Sequence, residues 1–550
     1  MSQTLRIGRF SFDAAQNIPA LTTPWADAYE GEQHPDHPGG IYALVQKHKL
    51  PARMEVLDAI GTSRVGILQR VIEYEPVKIG GGQRLAFMME RPAGTALMAN
   101  MRSVLKPYRE DHLRLHLIKP IFETLKAMQE RALFHGAISP LTLFAKTELS
   151  GLMLGECISL PAGFAQPAVM EPIERAQCEP TNKGDSKIED DIFALGITTY
   201  LLATGKNPFA EMPPEDFMRA RLEIGTTALL FNHAKLQPSM LEFIRGVCSD
   251  IPRERWNFSE IESWLGGNRV ALRATAHTPK ASRSIVLNGK EFFRARDLAA
   301  ELGRKPGEIR KLVETKELLR WLHRSLDNYE LHETVNELLE KTALTSVTDE
   351  MLAARIAIAI DPQGPIRYKG LQLMPLSIGT VLAKAFIDQN TGLQQVIAEI
   401  IASDLISYWI KQPGNGGSLL HTLSKEVDQA HGYITVSGLG YGLERAIYEL
   451  QHHAPCYSEL FARYYMLSLK QLLPALDELA ADSRRPAEPL DRHAAGFLAA
   501  RLGRSHESIL KSLNPNKDMA TRNITVLNLL STVQIRYGIE PLPRLCAWMA

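Results

Sequence analysis

Three short segments hold the residues through which this chain could do chemistry. The first runs from His135 to Thr142, the second is Gly155-Glu156-Cys157, and the third begins at Asp191. Carboxylates are common proton acceptors for hydroxyl substrates, and carboxylate oxygens are preferred magnesium ligands. The first segment contains no carboxylate, and the second contains one, on Glu156. Chemistry that needs both a base and a bound metal ion would therefore depend on very few groups.

The order and spacing of these segments resemble those of the protein kinases. In that family the catalytic loop reads H-R-D-L-x-x-x-N, where the Asp accepts the proton of the substrate hydroxyl and the Asn holds magnesium. His135 matches the first position, but Ala137 stands at the Asp position and Thr142 at the Asn position. The D-F-G metal motif is expected about eighteen residues after the base position. Gly155 and Glu156 stand there, with the acidic residue one position out of place. The resemblance therefore implies a degenerate member, a pseudokinase, with no catalytic residue and no metal site.

The residues that would hold a nucleotide are also incomplete. The run 41–45 resembles the third kinase strand, V-A-I-K, with Val in place of the phosphate-binding Lys. Ala43 and Lys47 are the nearest candidates for nucleotide contact, and Met89 and Glu90 resemble the hinge beside which an adenine would bind. No G-x-G-x-x-G lies upstream, and the three glycines at 80–82 favour a hairpin turn over a phosphate loop. We expect no obligate cofactor, and ATP could bind only without a tightly held metal.

The landmarks that stabilise a kinase scaffold are better kept. Asp191 begins a long apolar helix, and the resemblance implies that its carboxylate binds backbone amides of the loop at His135. Cys178-Glu179-Pro180 stands where the A-P-E motif should be, and Arg255 lies in a late segment that resembles the one carrying the partner of that Glu. The resemblance therefore implies an ion pair between Glu179 and Arg255.

Composition limits the expected partners and compartment. The 550 residues include 62 Lys plus Arg and 62 Asp plus Glu, so no overall field would draw the chain to nucleic acid or an acidic membrane. The five cysteines are scattered without C-x-x-C pairing, which favours a reducing compartment. Residues 1–12 lack the apolar core of a signal peptide, and no run of about eighteen apolar residues appears. We expect a soluble, cytoplasmic protein without a membrane span or a nucleic-acid partner.

The kinase resemblance covers residues 1–268, and the rest of the chain differs in texture. Residues 269–288 contain basic but no acidic side chains, which favours an exposed basic linker over a site for an anionic partner. Apolar residues recur every three or four positions between 393 and 408, which predicts one long helix. We expect an α+β protein, with a bilobal protein-kinase-like domain at 1–268 and a mostly α-helical domain at 289–550. That second domain is expected to be all-helical.

Several weaker patterns have a structural and a functional interpretation. Residues 298–304 and 498–504 echo one another, either as a distant helical duplication or, as we favour, as two helix ends with Gly303 and Gly503 as left-handed caps. The glycine-rich run 437–444 favours a helix entry over a dinucleotide fingerprint. Residues 34–37 and 452–456 contain His without a full ligand set, which favours ordinary loops over metal sites.

Similar two-part chains are bacterial serine/threonine-kinase-like proteins, and Tyr441–Arg445 is a candidate for a motif that they share. The expected function is that of a signalling scaffold or regulatory binding protein with one or more protein partners. Two alternatives remain open. One is an active ATP-dependent serine/threonine kinase or other transferase that uses displaced residues such as Lys47 and Glu156. The other is a metal-independent nucleotide sensor.

Overall fold

The computed structural model describes residues 4–61, 63–233, 235–273, 279–343, 347–483, 485–511 and 519–549. Across these residues the chain combines antiparallel sheets with many helices, which confirms the α+β class. Of the helices described, none is both long enough and apolar enough to cross a membrane.

A six-stranded antiparallel sheet forms the N-terminal part of the fold. Its strands are β1 Thr4–Ile7, β2 Phe10–Asn17, β3 Ala26–Gly31, β4 Ile41–Gln46, β5 Val71–Ile79 and β6 Gly82–Glu90, in the order β1-β2-β3-β4-β6-β5, with helix α1 Met54–Ile60 between β4 and β5. Strand β4 is apolar at almost every position because both of its faces are covered. Tyr42 and Leu44 enter the main core, whereas Ala43 and Val45 enter a smaller core on the opposite face.

The β5–β6 hairpin turns at Gly80 and Gly81. Both residues have positive φ, 60° and 83°, which glycine adopts without a steric penalty. A two-residue turn with this geometry matches the natural twist of the two strands. The prediction of a hairpin turn at 80–82 is confirmed.

Residues 95–265 add a small sheet and a set of helices that share one core with the inner face of the large sheet. The strands are β7 Thr95–Ala96, β8 Leu143–Ala145 and β9 Met153–Leu154. The helices are α2 Glu110–Leu113, α3 Lys119–Gln129, α4 Ile173–Ala176, α5 Ile188–Thr204, α6 Pro214–Ile224, α7 Thr226–Phe231, α8 Pro238–Val247 and α9 Phe258–Leu265. Helix α5 is buried on nearly all sides because apolar residues occupy every face, and it ends at Gly205 with a left-handed φ of 76°.

The C-terminal half contains two β-hairpins, so the expectation of an all-helical region is wrong. The hairpins are β10 Ile285–Leu287 with β11 Lys290–Phe292, and β12 Ile366–Tyr368 with β13 Leu371–Leu373. Their turns are Asn288-Gly289 and Lys369-Gly370, and all four residues have positive φ. Asn-Gly between short apolar runs is a strong hairpin signal, and the sequence prediction missed it.

Fifteen helices account for most of the rest of the described C-terminal residues, 279–343, 347–483, 485–511 and 519–549. They are α10 Ala295–Arg304, α11 Ile309–Glu314, α12 Glu317–Arg320, α13 Tyr329–Ala343, α14 Asp349–Ile360, α15 Ile378–Ile387, α16 Thr391–Ala402, α17 Leu405–Ile410, α18 Ser418–Ile434, α19 Leu443–Leu450, α20 Leu472–Ala480, α21 Arg492–Leu502, α22 Glu507–Leu510, α23 Met519–Tyr537 and α24 Pro543–Met549. They pack around two apolar cores, and α14 contributes side chains to both.

Two predicted boundaries in this half are wrong. The long helix expected over 393–408 is two helices, because the Ser403 hydroxyl donates to the Ile400 carbonyl and accepts from the Leu405 amide, which interrupts the helical ladder. The linker expected at 269–288 is shorter, since Ala281 is already buried in the next core. Near the start of the predicted linker, the Arg273 guanidinium is bound by the Glu260 carboxylate. Residues 274–278 of that predicted linker lie outside the described residues.

The echoing segments end in two different ways. Gly503 ends α21 with a positive φ of 78°, but its ψ of −179° is not that of the expected left-handed cap. Gly303 has no left-handed backbone; it lies inside α10, where an added Cβ would come within 2.3 Å of the Arg367 side chain. Its absence of a side chain therefore serves close packing. Gly442 begins α19 with a φ of 84°, which confirms the predicted glycine-rich helix entry.

Candidate functional site

The loop that carries His135, Ala137 and Thr142 is held in place by Asp191 near the start of α5. The Asp191 carboxylate accepts hydrogen bonds from the His135 amide at 2.6 Å and the Gly136 amide at 2.7 Å. This arrangement confirms what the sequence resemblance implied for Asp191. Burial raises the pKa of Asp191 to about 7, although the two amide hydrogen bonds oppose the rise. The carboxylate therefore has a structural role and is not exposed to a substrate.

His135 is buried and both of its ring nitrogens are engaged. Nε2 lies 2.9 Å from the Gly155 carbonyl oxygen, so it donates, and Nδ1 accepts from the Ala137 amide at 3.2 Å. This pairing requires the neutral imidazole. Burial lowers the pKa of His135 to about 4. His135 therefore connects the loop to the strand end at Gly155 and has no ring nitrogen available for proton transfer.

The two positions expected to carry the base and a metal ligand also have structural roles. Ala137 presents only a methyl group. The Thr142 hydroxyl donates to the Ala137 carbonyl at 2.6 Å and accepts from the Ser139 amide at 3.1 Å. Because a threonine hydroxyl has one proton, that donor is used within the loop. The segment closes on itself and offers neither a carboxylate nor an amide side chain.

The Glu156 carboxylate is used by its own loop. One oxygen accepts from the Ile158 amide at 2.6 Å and the Ser159 amide at 2.8 Å, and the other accepts from the Ser159 hydroxyl. Amide donors of this kind stabilise a carboxylate much as a helix N-cap does. Glu156 also lines a cavity, but its carboxylate acts as a cap of its own loop.

A cavity of about 130 Å³ lies between β4 and this loop. Typical small-molecule sites measure roughly 300–1,000 Å³, so this cavity cannot take a nucleoside triphosphate as it stands. Trp25 and Phe164 meet edge to face at 4.7 Å beside it, and both contribute to its wall. The cavity is also lined by Tyr42, Leu44, Gln69, His135, Thr142 and Glu156.

Ala43 and Lys47 do not line this cavity, which corrects the sequence prediction. Alternate side chains of a strand point to opposite faces, and Ala43 lies in the small core on the face away from the cavity. The Lys47 ammonium binds the Asp27 carboxylate at 3.1 Å and the Thr23 carbonyl at 2.7 Å. The register is one residue out: Tyr42 and Leu44 are the β4 side chains that face the cavity.

Met89 and Glu90 do not form an open hinge either. Met89 is buried and pairs with Tyr42 across the β4–β6 ladder. The Glu90 amide donates to the Arg70 carbonyl at 3.0 Å, and its carbonyl accepts from the Gln69 side chain at 2.7 Å. The Glu90 groups that could recognise an adenine edge are thus bonded within the chain.

Sequence reasoning missed the two side chains that hold the cavity walls together. Arg53, buried before α1, donates to the carbonyls of Phe134, His135 and Cys157 at 2.7–3.0 Å. Gln69 binds the Tyr42 hydroxyl and accepts from the Glu156 amide at 3.1 Å. No local motif marks either residue, because their partners lie far away in sequence. A single Arg before an apolar helix, as at Arg53, is too common a pattern to predict these contacts.

The ion pair expected between Glu179 and Arg255 is absent, because Glu179 is exposed and Arg255 has another partner. The Arg255 guanidinium binds the Glu174 carboxylate at 3.1 Å and the Asp190 carboxylate at 3.3 Å, all nearly buried. Burial opposes the charge on Arg255, but the two carboxylates outweigh it and raise its pKa. The prediction chose the right Arg and placed the Glu five residues too late.

The C-terminal half binds both sides of the cavity region. On the sheet side, the Lys49 ammonium donates to the carbonyls of Phe461, Ala462 and Tyr464 at 2.7–3.3 Å. On the helical side, the Met374 amide donates to the Asn182 carbonyl at 2.9 Å. The C-terminal half therefore contacts both the sheet and the helical part of the N-terminal half.

The two histidine clusters lie in loops, and neither contains a metal-binding set. His34 and His37 flank a tight turn, and each contacts the Phe10 ring. His453 lies 3.7 Å from the Glu55 carboxylate. Over the ranges that the structure describes, no three His, Cys, Asp or Glu side chains converge as metal ligands would.

Comparison with known proteins adds little. No protein-family model matches the chain. No curated protein matches it in sequence. One similar solved structure is described as the crystal structure of Rad53 1-466 in complex with AMP-PNP, with 11% sequence identity and a TM-score of 0.33. The match covers 45% of this chain and 64% of that one. A likeness at this level assigns neither a family nor an activity to this chain.

Proposed function

We propose that this chain is a protein-kinase-like protein that does not transfer phosphate and acts as a regulatory or scaffolding binding protein. The proposal rests on the hydrogen bonds made by the residues at the expected catalytic positions. The polar side-chain atoms of Thr142 and Glu156 are bonded to the backbone of their own loops, and Ala137 has no polar side-chain atom. A kinase gains nearly all of its acceleration from a positioned base and metal ions, and these residues supply neither.

The kinase-like part of the proposal rests on one contact that the sequence resemblance implies and on a second that differs from the implied one in its carboxylate. Asp191 anchors the loop at His135, and a buried carboxylate binds Arg255, although Glu174 provides it. Neither contact is a catalytic one. A chain that keeps its scaffold contacts without its reactive groups is well suited to binding.

The binding role is supported by the C-terminal half, which contacts the sheet at Lys49 and the helical part at Asn182. These contacts hold the sheet and the helical part to the same C-terminal half. Held by these contacts, the C-terminal half would present a surface of fixed geometry to a protein partner. The proposed bacterial and signalling setting is taken from the resemblance, and the proposed cytoplasmic location from the scattered cysteines. The neutral composition gives no reason to expect a nucleic-acid partner.

Two alternatives are less well supported by the geometry. An active transferase would need Lys47 and Glu156 at the reacting phosphate, but the Lys47 ammonium is paired with the Asp27 carboxylate and Lys47 does not line the cavity. A nucleotide sensor would need room for the ligand, and the cavity measures only about 130 Å³.

Thermal melts with ATP, with and without magnesium, test the proposal. We expect magnesium to add no stabilisation beyond that of ATP alone, because no ligand set for a metal–triphosphate complex is present at Thr142 and Glu156. The proposal fails if magnesium and ATP together raise Tm, and if that rise is lost in Glu156→Gln but kept in Glu148→Gln. Glu148 is the control because its side chain is exposed.

A further inference from the structure

A second, larger cavity lies where the N-terminal helices meet the C-terminal half. Its volume is about 420 Å³, within the range of roughly 300–1,000 Å³ that small-molecule sites occupy. Helices α6, α7 and α8 form one side, and the start of α10 forms the other. Five arginines line it, and we call it the arginine cavity: Arg221, Arg245, Arg273, Arg294 and Arg296.

Arg221 is a charged side chain buried in the cavity wall. Its guanidinium donates to the Thr226 hydroxyl, the Ala168 carbonyl and the Glu171 carbonyl at 2.9–3.1 Å. A guanidinium has five N–H donors, so these bonds use three of them. The carboxylate of Asp250 lies 3.9 Å away, beyond hydrogen-bond distance. Burial lowers the pKa of Arg221, which reflects this incomplete compensation of its charge.

The other arginines add positive charge from both halves. Arg245 is exposed, and its guanidinium lies 5.2 Å from the centre of the Phe231 ring. The Nε atom of Arg296 binds the Asp361 carboxylate at 3.1 Å, and its side chain is 17% exposed, so part of it faces the cavity. Arg273 is held by Glu260. The guanidinium groups of Arg221, Arg273 and Arg296 are each held by a neighbour, which prepares these groups before a ligand arrives.

Two carboxylates also line the arginine cavity, and both are engaged. Both oxygens of Asp250 accept from Thr226, one from its amide and one from its hydroxyl. Glu254 accepts from the Ser249 hydroxyl at 3.3 Å. Among the side chains that line the cavity, guanidinium groups outnumber carboxylates five to two, and Arg273 and Arg296 are also paired with Glu260 and Asp361, which do not line it. The lining is therefore richer in positive than in negative groups, which favours an anion.

We propose that the arginine cavity binds a small organic anion that carries phosphate or carboxylate groups. Guanidinium groups match the geometry of both groups with paired hydrogen bonds. Ile224, Phe231 and Leu272 would contact the apolar body of the ligand. Because Arg221 and Arg296 belong to different halves, the ligand joins them and stabilises their contact. This site does not use the smaller cavity at Glu156, so it stands independently of the proposed function.

Isothermal titration calorimetry on the full chain tests the site. The probes are inorganic pyrophosphate, citrate and AMP, titrated at one fixed ionic strength because salt screens charge-driven binding. The double variant Arg245→Ala/Arg294→Ala removes two cavity guanidiniums. The matched control is Arg219→Ala, which removes an exposed arginine of α6 that pairs with Asp216 outside the cavity.

We expect at least one probe to bind once per chain with a Kd below about 1 mM, to weaken about tenfold or more in the double variant, and to be unchanged in the control. Thermal melts of each variant without ligand confirm that it is folded. The proposal is overturned if no probe binds at about 10 mM, if the double variant binds as tightly as the natural chain, or if Arg219→Ala loses as much affinity. Pyrophosphate binding without citrate binding would assign the site to phosphate, and the reverse to carboxylate.

Discussion

Replacing Glu174 by Gln should destabilise the N-terminal part strongly, whereas Glu179→Gln should have almost no effect. The two residues are close in sequence, and sequence resemblance alone selects Glu179 as the partner of Arg255. The structure selects Glu174, whose carboxylate lies 3.1 Å from the guanidinium of Arg255. The pair of variants therefore separates the two assignments.

The expected cost follows from burial. The side chains of Glu174 and Arg255 are 9% and 1% exposed, and removing one partner of such a pair typically costs about 3–5 kcal/mol. Arg255 keeps the Asp190 carboxylate at 3.3 Å and the Ser249 carbonyl at 2.8 Å. The loss should therefore be near the lower end, at about 3 kcal/mol. Glu179→Gln should stay within about 0.5 kcal/mol because its side chain is exposed.

Differential scanning calorimetry provides the measurement. For a cooperative unit of about 150–250 residues, 1 kcal/mol corresponds to about 2–4 °C in Tm, so Glu174→Gln should lower Tm by about 6–12 °C. A drop of that size in Glu179→Gln, or no drop in Glu174→Gln, would refute the assignment of the buried pair. Circular dichroism below the transition checks that both variants are folded.

Three further perturbations test contacts around the smaller cavity, the one lined by Glu156. Arg53→Met removes the donor to three carbonyls and should cost about 3 kcal/mol in urea unfolding, whereas Arg64→Met, which removes an exposed ion pair, should cost less than about 1 kcal/mol. Tyr42→Phe removes one hydrogen bond to Gln69 and should lower the unfolding free energy by about 1 kcal/mol, and an unchanged value would contradict that bond. The pKa of His135 is lowered from 6.5 to about 4, so its neutral form adds stability above pH 6.5 that is lost as pH falls towards 4. Relative to His135→Gln, the natural chain should therefore lose about 3 kcal/mol across that window, and a constant difference would contradict the buried neutral imidazole.

Parts of the fold were predictable because the signals are local. The hairpin at 80–82 follows from adjacent glycines between strand-like runs. The link between Asp191 and the His135 loop follows from a motif order that the chain keeps. The Asn288-Gly289 hairpin has an equally local signal, but helical periodicity dominates that half of the sequence.

The remaining features depend on register and on distant contacts. A shift of one residue exchanges the two faces of a strand. The sequence prediction is out by one residue on β4, where Tyr42 and Leu44 face the cavity and Ala43 does not. Lys47 does not line the cavity either. The bonds of Arg53 and Gln69 connect segments dozens of residues apart, and nothing in a single sequence marks such partners. A motif shows which residue types are present, but it does not show which of them are already bonded.

Transfer of labelled γ-phosphate tests directly whether this chain has lost kinase activity. The full chain, in excess over ATP, is incubated with magnesium or manganese and a generic protein acceptor, and label on the chain and the acceptor is measured over hours. We expect incorporation no greater than in a sample without the chain, because Ala137, Thr142 and Glu156 offer no base and no free metal ligand. Incorporation that rises with the amount of chain and disappears in Glu156→Gln would contradict it.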